Sequence, residues 1–164
     1  MDKNEKLSLI ERFEKAIEPL IDFVKTVPGA AIDYRPNLPG AWTIRDHAVH
    51  FLDADTFAYG RLRLAVTQPG AEVFVWNEEA WQERAHYETA DALTCLETVR
   101  ALRQVVCAMA RGLVDADWES FYVRHAQRGR MTLADVFKLY IDHGQLHLSY
   151  FRRNLDAYNN AAAG

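Results

Sequence analysis

Residues 132–155 read TLADVFKLYIDHGQLHLSYFRRNL, and the reading of this stretch decides the fold. Thr132 is placed to cap a helix, with Asp135 three positions on able to answer it in a capping box. Apolar side chains then recur at Val136, Leu139, Tyr140, Leu146, Tyr150, Phe151 and Leu155, the three-and-four spacing of an amphipathic helix. Within it His143 and His147 stand four positions apart, so both imidazoles project from one face, the spacing at which two helical histidines can chelate one ion. The residue after His143 is Gly144, where the zinc peptidase pattern His-Glu-x-x-His has its general base, which argues against that chemistry. A glycine inside a helix costs about 1 kcal/mol against alanine. Gly144 is therefore either neutral or there to admit a ligand or a neighbouring backbone at close range.

Three more helical patterns extend outward from this one. Asp91 or Thr89 opens a helix whose apolar repeat is Leu93, Leu96, Val99, Val106, Met109 and Leu113. Thr43, with Asp46 three residues later, opens another that runs through Ile44, Ala48, Phe51, Leu52, Ala58 and Leu62 to Pro69-Gly70. The first pattern, Ile10, Phe13, Ile17, Leu20, Ile21 and Val24, contains Pro19, which predicts a kink or a restart. No run alternates as a strand would, and the tail from Asn159 reads as frayed. Four helices of roughly 30 Å, at 1.5 Å per residue, can lie side by side, so the expected fold is an all-α four-helix bundle in one domain over residues 1–164. Its second and third helices are joined by a long connection able to cap a pocket.

Composition narrows the function classes. Hydrophobic residues make up 49% and charged residues 26%, which is globular rather than disordered. A net charge of −4 and no long basic stripe speak against nucleic acid as a partner. The densest basic stretch, Arg124 to Arg130, reads as a solvated loop rather than an anion site. Cys95 and Cys107 are twelve positions apart on one helix and cannot pair, which suits small buried hydrophobes in a reducing compartment. Met1 to Lys6 are charged and lead straight into a helix, and no apolar run reaches membrane-spanning length. The expectation is a cytoplasmic protein with no membrane partner.

A metal site with an open position needs a third ligand from another helix. The second helix offers His47 and His50, three apart and roughly 60° from each other in direction; periodicity alone does not choose between them.

Taken in order, three features resemble the DinB/YfiT-like superfamily of metal-binding four-helix bundles. Ala41-Trp42-Thr43-Ile44-Arg45-Asp46 is followed by His50 eight residues after the tryptophan; Trp81 and Tyr87 precede a long helix and then Asp117-Trp118; Thr132-Leu133-Ala134-Asp135 leads to His143 and His147. The resemblance covers about Leu7 to Tyr158 and implies His50, His143 and His147 as ligands of a divalent metal, zinc or nickel, in a bundle that is often a homodimer. It leaves His47 as a neighbour. Leu148-Ser149-Tyr150 departs from the glycine or glutamine that relatives often carry after the last histidine, so the pocket lining and substrate are left open.

Two reaction classes follow for a small-molecule substrate. The resemblance implies a branch in which a low-molecular-weight thiol attacks an electrophile or drives an isomerisation, and metal-dependent hydrolysis of a small amide or ester is the alternative. A non-catalytic metal or ligand-binding protein is the reading of another class. Asp46, Asp53, Asp55, Glu79 and Asp142 lie near the ligands or the pocket segment in sequence, but none is a compelling general base, which favours the thiol reaction. Trp76, Trp81, Tyr87 and Tyr150 are candidates to line the pocket, and Arg45 and Arg124 are candidate anchors for an acidic thiol.

Overall fold

Three reciprocal caps set the frame. In the computed structural model, which describes residues 1–163, Asp2, Thr43 and Thr132 each accept a hydrogen bond from the backbone three residues on. The side chains of Glu5, Asp46 and Asp135 accept in return from the caps' own N–H groups. They open α1 (Lys3–Lys15), α4 (Ile44–Thr67) and α7 (Leu133–Ala162). The predicted break in the first helix falls at Ala16 and Ile17, and α2 (Glu18–Thr26) restarts with Pro19 in its first turn, where the missing N–H costs nothing. A single turn, α3 (Gly29–Ile32), precedes the second long helix, and α6 (Ala92–Arg111) starts at Asp91, one of the two expected positions.

The bundle is formed by α1 with α2, α4, α6 and α7, with α4 packed most extensively along α6 and then α7. One half of the core gathers Phe13, Leu62, Trp118 and Phe137, the other Ile21, Phe51, Leu96 and Phe151. Between helices sits Arg103, only 1% exposed, whose guanidinium meets both oxygens of buried Asp55 at 2.7 and 3.1 Å and also donates to Phe13 O at 3.0 Å.

Two expectations are corrected. Strands exist: β1 (Ala71–Val73) pairs in parallel with β2 (Tyr122–His125), which pairs antiparallel with β3 (Gly129–Thr132). Each has three or four residues, too few for alternation to rise above the helical patterns around them. The stretch Arg124 to Arg130 is therefore mostly hairpin, not plain loop. The tail is also more regular than expected, since α7 continues to Ala162. The connection over residues 68–91 carries β1, α5 (Glu78–Arg84) and a 3-10 turn at Tyr87–Thr89, and it lies beside α4.

Gly144 has a packing reason. A Cβ there would stand 3.2 Å from the carbonyl oxygen of Ala16, at the break between α1 and α2, so the glycine admits a neighbouring backbone. Among the described residues no helix is long and apolar enough to cross a membrane.

Candidate metal centre

The histidine pairs of α4 and α7 face each other. One ring nitrogen from each of His50, His143 and His147 lies within 4.8 Å of the other two, and the Nε2 atoms of His50 and His143 are 3.2 Å apart. Two nitrogens at 2.0–2.1 Å from a tetrahedral ion stand about 3.3 Å apart, so the residues fit a divalent ion. Burial pushes the His50 imidazole down to about 4. Burial, aided by His50, Arg103 and His47, takes His143 to about 3, and burial with His143, His47 and His50 depresses His147 strongly. These imidazoles are thus neutral at ordinary pH, with lone pairs available.

The outer contacts are unusual. Ligating histidines ordinarily donate the second ring N–H to an acceptor, yet Nδ1 of all three is buried with no hydrogen-bond partner. Ring packing orients them instead: Phe51 stacks on His143 at 4.9 Å between centroids, and Trp76 stacks on His50 at 5.3 Å. His47 is buried as well, its ring 5.0 Å from His147 and stacked on Tyr150 at 5.0 Å, with both nitrogens unpartnered. Burial lowers it to about 3.

Two cavities meet at the histidines. One, of about 530 Å³, is lined by Trp42, Glu79, Tyr150 and Arg153; the other, of about 290 Å³, by Arg61, Trp76, His125 and Tyr140. His50, Glu78, Arg128 and His143 belong to both. The Glu78 carboxylate, at the first turn of α5, stands 3.6 Å from His50 Nε2.

Several candidates are placed elsewhere. Tyr87 is buried against Val49 and Cys95 and donates its hydroxyl to Asp53, so it supports the back of α4 and not the cleft. Trp81 packs against Trp76 at 4.7 Å, one step removed from the cavity wall. Arg45 is tied to Asp33 and to Ala90 O, and Arg124 lies exposed on β2, so neither is an anchor at the cleft. Asp46 caps its helix, Asp55 pairs with Arg103 and Asp142 is exposed. Glu78 and Arg61 were missed, although Arg61 lies eleven residues after His50, three helical turns along the same face of α4, while His125 and Arg128 belong to the basic stretch read as a solvated loop.

The model of the DinB superfamily matches residues 12–151. The chain belongs to the DinB superfamily. Among its relatives is the Bacillus subtilis protein named "putative metal-dependent hydrolase YfiT", 25% identical over 150 residues, with 92% of this chain and 84% of that one aligned. An Oceanobacillus iheyensis protein likewise named a metal-dependent hydrolase is 29% identical over 111 residues, which span 68% of this chain and 63% of its own length. The solved structure of YfiT, described as a four-helix bundle of unusual topology, superposes with a TM-score of 0.83 at 24% identity, covering 94% of this chain and 87% of that one. The DinB fold and the three-histidine cluster thus stand together in this chain.

Proposed function

We propose that this DinB-superfamily chain is a metal-dependent hydrolase of a small ester or amide, with His50, His143 and His147 holding a zinc or nickel ion and Glu78 acting as the base. The observation that carries this reading is the Glu78 carboxylate 3.6 Å from His50 Nε2, at the wall shared by both cavities. A divalent ion among neutral imidazoles keeps its double charge and supplies Lewis acidity. Glu78 takes the proton of the attacking water and returns it to the departing alcohol or amine as the acyl bond breaks, and the stacked Phe51 and Trp76 rings keep the imidazoles in place. The names of the relatives agree with hydrolysis.

A second reading is group transfer from a low-molecular-weight thiol. Its support is the pair of cavities meeting at one centre, which gives two reactants separate seats. Glu78 then takes the thiol proton. Zinc- or nickel-loaded protein, offered a panel of acyl esters and amides and separately a thiol with chlorodinitrobenzene, separates the two. Hydrolysis that falls by about 100-fold or more in Glu78→Gln, with metal content unchanged, supports the first reading. Turnover that requires thiol supports the second, and tight binding of small molecules without turnover contradicts both.

A further inference from the structure

Two arginines are buried in this bundle, and only one has an acid. Arg103 is held bidentately by Asp55. Arg61 is 7% exposed and, among the described residues, forms no ion pair with any carboxylate. Two of the five N–H groups of a guanidinium are engaged, by Tyr140 Oη at 2.9 Å and Phe74 O at 3.2 Å. A buried charge without a counter-charge is costly unless something neutralises it, and Arg61 lines the cavity of about 290 Å³ whose other end is His50 and His143.

The surroundings reinforce that charge. Arg128, in the β2–β3 turn, lines the same cavity from the rim and has no acid partner of its own among the described residues. His125 is buried on the cavity wall, and its Nδ1 accepts from the Gln127 N–H at 3.2 Å, which leaves Nε2 as a donor. Burial, with the charges of Arg61 and Arg128, holds His125 below its ordinary pKa. Tyr140 joins the two ends: its hydroxyl is on Arg61, and its ring stands 6.0 Å from that of His143. The single acid lining the cavity, among the described residues, is Glu78, at the histidine end.

We infer that the substrate carries a carboxylate, seated on Arg61 at the far end of this cavity with Arg128 and His125 beside it, while its reacting group lies at the histidines. This rests on the histidine cluster being the reaction centre and adds the substrate class. One buried cation matches one negative charge, and a planar two-oxygen group suits the N–H groups of the guanidinium that Tyr140 and Phe74 leave unused. A phosphate dianion brings a second charge for which the cavity lining holds no second buried arginine, since Arg128 is exposed. The Arg61 contact to Phe74 O also fixes the segment between β1 and α5, so a seated carboxylate tightens the wall that carries Trp76 and Glu78.

The test uses metal-free protein labelled with ¹⁵N at arginine, so its outcome does not depend on turnover or on anions taken up by a metal. Butyrate, its neutral counterpart butyramide and inorganic phosphate are titrated, and the Arg61 Nε–H signal is assigned from its loss in Arg61→Gln. Saturable movement of that signal by butyrate is expected, with butyramide at least about tenfold weaker, the scale of one charge-assisted contact. Arg128→Gln, read on the Arg61 signal, is expected to weaken butyrate by less than about tenfold. Equal response to butyrate and butyramide, or no response, overturns the assignment and leaves Arg61 as a brace for the loop. Tighter binding of phosphate than of butyrate overturns the carboxylate. If Arg61→Gln does not fold, Arg61→Lys supplies the assignment and the three titrations of the parent still decide. Failure of hydrolysis with the butyrate result intact removes the reaction proposed above but not this seat.

Discussion

The two polar regions inside this bundle are built on opposite rules. Around Arg103 the charge is answered: Asp55 takes two of its N–H groups, Phe13 O takes another and the Phe13 ring lies 4.4 Å from the guanidinium carbon. Around the histidines and Arg61, which flank Asp55 along α4 and face it from α7, five ring nitrogens are buried without partners and a guanidinium lacks an acid among the described residues. A protein interior satisfies its polar groups almost everywhere, so on the proposed reading the unanswered region is where something from outside binds. The Arg103 region fixes the packing; the other is left open for chemistry.

Acid should break the comparison most severely. His47, His50 and His143 are held at about 3, 4 and 3, against 6.5 for the free side chain. Between those values the unfolded chain binds more protons than the folded one, so their contribution is complete above pH 6.5 and is lost as pH falls. Each costs up to about 1.4 kcal/mol per pH unit. Urea unfolding of metal-free protein at pH 7.5 and pH 5.5 should show a clear loss of stability at the lower pH. A flat profile would mean that these rings are solvated.

Next in size is the contrast between the two arginines. Arg103→Met strands the Asp55 carboxylate and Asp55→Ala strands the guanidinium, and each should cost about 3–5 kcal/mol in urea unfolding. Arg61→Met strands no acid, so its stability should stay within about 1 kcal/mol of the parent. Equal losses at Arg61 and Arg103 would erase the distinction. The smallest effect concerns Gly144→Ala, where helix propensity favours alanine by about 1 kcal/mol. The Cβ contact at 3.2 Å with Ala16 O opposes it, so thermal unfolding should show no gain or a small loss. A rise in melting temperature would show that the α1–α2 break yields freely.

Helix starts were legible because capping is local chemistry: Thr43 with Asp46 and Thr132 with Asp135 lie three residues apart in sequence and in space. His143 and His147 were legible for the same reason, being one turn apart on one helix. Choosing His50 over His47 needed the resemblance, since both face inward and both are buried. Glu78 was not legible, and the basic stretch with His125 and Arg128 was visible but not its place at the cleft, because a short helix and a hairpin carry them there across long sequence separations with no periodic pattern to follow. Tyr87 misled because an aromatic beside a pocket segment serves the core just as well.

The central claim is that His50, His143 and His147 hold one ion. Metal content by mass spectrometry, on untagged protein equilibrated with zinc or nickel, tests it most directly beside His50→Ala, His143→Ala and His47→Ala. About one equivalent is expected in the parent, with its loss in His50→Ala and His143→Ala and a lesser effect in His47→Ala. No uptake by the parent, or a larger loss from His47→Ala than from His50→Ala, would contradict it.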